Sequence, residues 1–144
     1  MSGGHAREGV EGNPQQGLLL KVRRKVGQWL STMVDRHEIR SDGTYSARFE
    51  ATNIAISVEP LLKDQTMIQM RTPLLFDSPR SPDLFEWVAD RNNFQRAGYL
   101  KAIPSKNKVE SVHIFFTYEL LGDHVDFEEF KFAFSLAAAA ASTE

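Results

Sequence analysis

The 144-residue chain has no cysteine. Disulfides, thiolate metal sites and thiol nucleophiles are excluded together, a usage that suits a reducing cytoplasm. Nor is there an excess of either charge: 17 Lys and Arg stand against 19 Asp and Glu, a formal net charge of -2. The molecule as a whole is not drawn to phosphate backbones or anionic lipid, so neither nucleic acid nor membrane is expected as a partner. No apolar run approaches the ~18 residues a bilayer-spanning helix requires, and the longest, FAFSLAAAAAS, is mainly alanine. The opening MSGGHAREGVEGNPQQG has no basic segment leading into an apolar run, so no secretory signal is expected. A cytoplasmic protein follows.

Catalytic patterns are missing as well. There is no G-x-S-x-G elbow, and FDSPRSP lacks the glycines with which a loop cradles phosphate. The histidines are scattered: His5 lies near the start, His37 at the expected end of a first helix, His113 on the outward parity of a strand and His124 in a loop. None pairs with another at metal-ligand spacing. GDHVDFEEF, Gly122 to Phe130, looks like the end of a calcium loop. Taking Glu129 as the bidentate last ligand, however, puts Tyr118, Leu120 and Gly122 at the first, third and fifth positions and Asp123 where glycine is required. A capping box, Asp126 with Glu129, and a hydrophobic staple, Val125 with Phe130, account for the string instead. No enzyme activity, metal or cofactor is expected.

With 42% apolar and 25% charged residues the chain has the composition of one globular domain. Residues 1–16 read as a disordered tail and residues 17–144 as a single domain. Leu19, Val22, Val26, Trp29, Leu30 and Met33 recur at helical spacing, giving a first helix ending near His37, with the basic KVRRK (Lys21 to Lys25) on its solvated face. After Ser41-Asp42-Gly43 the period falls to 2. Tyr45 to Ala51 and Ile54 to Val58 form a hairpin turning at Thr52-Asn53, and Thr66 to Leu75 is a third strand with Ile68 and Met70 inward. Ser81-Pro82-Asp83 opens a second helix running to about Arg91. Strands at Gly98 to Ile103 and Glu110 to Leu121 follow, then a helix from about Phe127 to Ala141. The expected fold is α+β, a single five-stranded antiparallel sheet packed with helices in the order α-β-β-β-α-β-β-α.

Large apolar side chains occur on the parity that alternation assigns to solvent: Met67 beside Gln69 and Arg71 in one strand, Phe115 beside Thr117 in another. Such a face suits a protein or peptide partner or a dimer interface, or else lies under a loop or the amino-terminal helix. RTPLLFDSPRSPDLFEWVADRNNF, GYLKAI and TYELLGDHVDFEEFKFAFSLAAAAA resemble a domain of the actinobacterial YbjN family and of type III secretion chaperones of the CesT kind. The resemblance runs from about Gly17 to Ala141 and rests on Leu74-Leu75, Trp87-Val88-Ala89 and Leu120-Leu121-Gly122-Asp123. It implies a secretion-chaperone-like fold and a non-enzymatic peptide- or protein-binding module, often a homodimer, with no catalytic residues. Two rivals stay open: a small-molecule-binding α+β domain, with Tyr45, Tyr99 and Tyr118 as hydroxyl handles, and a purely structural homo-oligomer.

Overall fold

A computed structural model describes residues 14–50, 52–62, 65–94 and 97–142. Most of the expected tail, residues 1–13, lies outside the described residues, but Pro14 already opens helix α1 (Pro14–Met33). Proline suits a first helical turn, where its missing NH has no partner to lose. The three- and four-residue spacing places Val22, Val26 and Leu30 in the core, with Leu19, Trp29 and Met33 packed at its margin.

Strands β1 (Arg36–Ile39), β2 (Tyr45–Phe49), β3 (Thr52–Leu62) and β4 (Gln65–Pro79) come next. Helix α2 (Pro82–Phe94), β5 (Tyr99–Pro104), β6 (Ser111–Leu121) and helix α3 (Phe127–Ser142) complete the chain. All pairings are antiparallel, in the order β1-β2-β3-β4-β6-β5. The sheet therefore has six strands, not the five expected.

The additional strand is β1, and α1 stops at Met33 instead of running on to His37. Only His37 of the four β1 residues is even partly buried, so no alternation marks the segment. Backbone pairing with β2 holds it, from Arg36 opposite Arg48 to Ile39 opposite Tyr45. The β2–β3 turn also falls earlier than Thr52-Asn53. It pivots on Glu50, at φ 57°, and Phe49 already faces Thr52.

The inward parity of the inner strands is as alternation predicts. Tyr45, Ile56, Met70 and Tyr118 stand opposite one another across β2, β3, β4 and β6. Ile54, Ile68 and Ile114 are fully buried on the same side, where Phe130, Ala133, Phe134 and Ala137 of α3 meet Val22, Val26 and Leu30 of α1. Helix α2 adds Leu84, Trp87 and Val88 to this core. Gly98 closes the α2–β5 connection at φ +77°, where a Cβ would sit 2.5 Å from the Phe116 ring and 2.8 Å from the Thr117 carbonyl oxygen.

Both helix caps form. The Leu84 NH donates to Ser81 Oγ at 3.0 Å. At α3 the Glu129 NH donates to Asp126 Oδ1 at 2.8 Å, while the Asp126 NH donates to Glu129 Oε1 at 3.1 Å. Val125 and Phe130, the staple pair, are both buried. Three of the four carboxylates of GDHVDFEEF are thus engaged within the fold, the third being Asp123, whose Oδ1 accepts from the NH and the hydroxyl of Thr66 at 3.2 and 2.9 Å. Asp126→Ala is expected to lower stability by about 1 kcal/mol in urea unfolding, the usual loss of an N-cap, and millimolar calcium is expected to leave the wild-type midpoint unchanged.

Candidate protein-binding face

Because the three helices among the described residues share one core, the opposite sheet face is covered mainly by the side chains of its own strands, with Arg23 of α1 and Arg40 at its flank. Antiparallel pairing sets Gln69 opposite Glu119, Arg71 opposite Thr117, and Pro73 opposite Phe115 on β4 and β6. Gln69, Arg71, Thr117 and Phe115 of the expected set are thereby brought together. Met67 lies at the far end of the strip, beside the exposed Leu121.

The burial of these residues departs from a simple solvent face. Met67, Arg71 and Phe115 are half-buried, while Gln69 is 6% exposed and Thr117 fully buried. A chain of polar contacts covers them. Arg71 Nε donates to Gln69 Oε1 at 2.9 Å, and Gln69 Nε2 donates to Glu119 Oε2 at 2.9 Å. Tyr99, opposite Thr117 on β5, brings its phenol under the influence of the same Glu119 carboxylate. Burial, first, and the facing Glu119, second, push the Tyr99 phenol above its ordinary value of 10.0, with Arg71 opposing. Under this lattice the Thr117 hydroxyl has no hydrogen-bond partner.

Beyond Pro73 the face becomes aromatic. β4 shifts register between Pro73 and Leu75 and again between Leu75 and Ser78, and Asp77 adopts φ 49°. Aspartate tolerates that region better than most residues. Its NH donates to His113 Nδ1 at 3.1 Å, and its Oδ1 accepts from the Ser105 hydroxyl at 2.6 Å. The resulting bulge turns Phe76 onto this face at 64% exposure, with its ring centroid 5.3 Å from that of His113 and 6.1 Å from that of Phe115.

On the other flank Arg23 departs from the expected solvated helix face. Its guanidinium reaches the edge of β3, where Nη2 donates to the Val58 carbonyl oxygen at 3.3 Å, and Tyr45 donates to the Arg23 carbonyl oxygen at 2.8 Å. Arg23 Nε is buried without a partner. Arg23, Arg40, Ser57, Gln69 and Arg71 line a cavity of about 410 Å³, which adjoins a second of about 520 Å³ lined by Arg40, Ala55, Arg71, Pro73, Phe76 and Phe115. Arg23, Arg40, Phe76 and His113 escaped the sequence reading. Only FDSP, which puts a turn-former and a second proline inside a strand, signalled the bulge.

The helix side carries a separate groove of about 610 Å³, between α1, α3 and the β2–β3 turn, with Met33, Phe49, Phe127 and Phe134 on its walls. Among the described residues no group of three or more His, Asp or Glu side chains is arranged to hold a metal ion, and no helix is long and apolar enough to cross a membrane.

No family model matches the chain, and no curated protein matches it. Among solved structures it is similar to a chain of the ExsC-ExsE complex, with a TM-score of 0.60 over 85% of this chain and 90% of that one, at 13% identity. At that identity the likeness is one of fold. The described residues make an α+β fold with a six-stranded antiparallel sheet and three helices, consistent with a secretion-chaperone-like fold.

Two expectations follow. Thr117→Val replaces an unpaired buried hydroxyl by a methyl group of the same shape, and is expected to raise the unfolding free energy by about 1 kcal/mol. The Tyr99 tie to Glu119 requires the phenolic proton, and its folded value lies above the unfolded one. Its contribution is complete below pH 10.0 and is lost as pH climbs through the raised folded value. Absorbance titration should show one late-ionising phenol removed by Tyr99→Phe, and brought down towards its ordinary value by Glu119→Gln.

Proposed function

We propose that the chain is a non-enzymatic, chaperone-like, protein-binding module that holds an extended segment of a partner protein against the open sheet face, with α1 at its margin. The observation that carries this reading is the face itself: half-buried Met67, Arg71 and Phe115, with the exposed Phe76, lie on a sheet face that no helix among the described residues covers. Its likeness in fold to a chain of a complex between two proteins supports the same reading. Kinship with the YbjN and CesT-like families, a cytoplasmic setting and assembly as a homodimer belong to this proposal. Light scattering over a range of concentrations checks the last.

Groove docking on the face is favoured over addition of a strand at an edge. On β5 the Leu100 NH donates to Asn92 Oδ1 at 2.6 Å and the Leu100 carbonyl oxygen accepts from Asn92 Nδ2 at 3.1 Å, so a helix side chain occupies that edge. A second reading, binding of a small apolar molecule, draws on the helix-side groove of about 610 Å³. A thermal shift with a medium-chain fatty acid that is abolished by Phe134→Ser would favour it.

In a pull-down from native lysate, wild-type protein is expected to retain a defined partner. A Met67→Glu, Phe115→Glu double variant of unchanged circular dichroism and melting temperature is expected to lose it. Retention of the same partner by both proteins would remove the sheet face from the proposal.

A further inference from the structure

We infer that the segment bound on the open face is acidic and extended, with carboxylates seated on Arg40 and Arg71 and an apolar side chain, two residues along, in the recess of Pro73, Phe76 and Phe115. The inference rests on the reading of this face as a partner site and adds the partner's chemistry.

Charge is the first argument. The molecule carries a net -2, yet three guanidinium groups, Arg23, Arg40 and Arg71, converge on two adjoining cavities that share Arg40 and Arg71. Among the described residues no carboxylate forms an ion pair with any of them. Two acids, Asp42 and Glu59, share the first cavity. Asp42 Oδ1 accepts the Thr44 NH at 2.9 Å and also feels the Arg40 charge, Glu59 Oε2 accepts the Ser57 hydroxyl at 3.1 Å, and Glu119 is held by Gln69; the second cavity is lined by Arg40 and Arg71 with no acid. Two of the guanidiniums are also held in place, Arg71 by Gln69 and Arg23 by Val58, while that of Arg40 is exposed. Such preset forks suit carboxylates, which they can grip in pairs of hydrogen bonds.

Spacing is the second. Arg71 to Pro73 on β4, and Thr117 to Phe115 on β6, are each one pleat repeat, about 6.5 Å along a strand. An extended chain laid along the strands offers side chains on one side at the same interval. An acid at one position and an aromatic or aliphatic residue two further on would therefore meet the arginines and the apolar recess together. A nucleic acid backbone has phosphates at that interval but nothing apolar to put beside Phe76, and the remainder of this surface gives it no support.

The test is fluorescence anisotropy with labelled peptides of about twelve residues. One alternates Glu with Phe and Leu so that acid and apolar side chains share a side. A second replaces every Glu by Lys, and a third keeps Glu but replaces Phe and Leu by Ser; an oligothymidylate of similar length is the fourth probe. The first peptide is expected to bind about tenfold tighter than the second and third, and to weaken as salt rises from about 20 to about 300 mM. Arg40→Glu lies on an exposed hairpin and should weaken it about tenfold, and Arg71→Lys, which keeps the charge but loses the fork, should weaken it by less. If Arg71→Lys fails to fold, Arg40→Glu decides alone. Equal binding of the Glu and Lys peptides, indifference to Arg40→Glu, or oligothymidylate binding as tightly with the same arginine dependence would overturn the inference. A lysate partner lost with Met67→Glu, Phe115→Glu but kept by Arg40→Glu would sink the acidic segment and leave the partner face standing.

Discussion

Tyr45, Ile56, Met70 and Tyr118 lie side by side across four strands, and the core exists because alternation holds along that row without a slip. Displacing any of these strands by one residue would exchange its buried and open faces. The helices are bound by the same condition. Val22, Val26 and Leu30 of α1 and Phe130, Phe134 and Ala137 of α3 need this apolar face, and with α2 they are all the helices among the described residues. Nothing remains for the second face, so its strands must cover themselves. The Arg71–Gln69–Glu119 chain is that cover, with long polar side chains lying over Thr117 where a helix would otherwise stand.

The edges are treated differently from the face. Asn92 takes both backbone groups of Leu100 on the outer side of β5, and Arg23 takes the Val58 carbonyl oxygen where β3 runs past the start of β2. Exposed edges invite pairing with other chains, and side chains that occupy their groups remove the invitation. The opposite edge is the four-residue, largely exposed β1. A molecule that blunts its edges and leaves a face uncovered directs association to side chains, where sequence selectivity resides, more than to backbone.

Local periodicity made the inner architecture legible. Strands with one face buried write that fact into alternation, so β2, β3, β4 and β6 could be read with the right parity, as could the caps at Ser81 and Asp126. β1 could not be read, because an edge strand held by backbone bonds alone leaves no pattern in RHEI. Met67, Gln69, Arg71, Phe115 and Thr117 were findable as outward residues of inner strands, but their burial was not. Gln69 and Thr117 are hidden by neighbours from other strands, which no local period records. Arg23 was misplaced because it was read with the rest of KVRRK: four residues after Leu19 and three before Val26, it lies at the margin of the apolar stripe, where the gap beside Val58 gives its guanidinium a destination.

Phe76 carries the proposed reading of this face more clearly than any polar contact. Thr66, Ile68, Met70 and Thr72 point into the core, and an unbroken strand would send the even-numbered Phe76 the same way. Two register shifts and a left-handed aspartate turn it outward instead, beside His113 and Phe115. Leaving so large a ring mostly in water forgoes burial of apolar area, at roughly 25 cal/mol for each Å². Bulges of this kind re-aim side chains at sites of use, and here the ring is brought to the apolar end of a groove whose other end is Arg40 and Arg71. The bulge is fixed by its own bonds to His113 and Ser105. A surface preset in this way would lose little freedom on binding, and on the proposed reading the burial that Phe76 forgoes in the free protein is recovered against the partner.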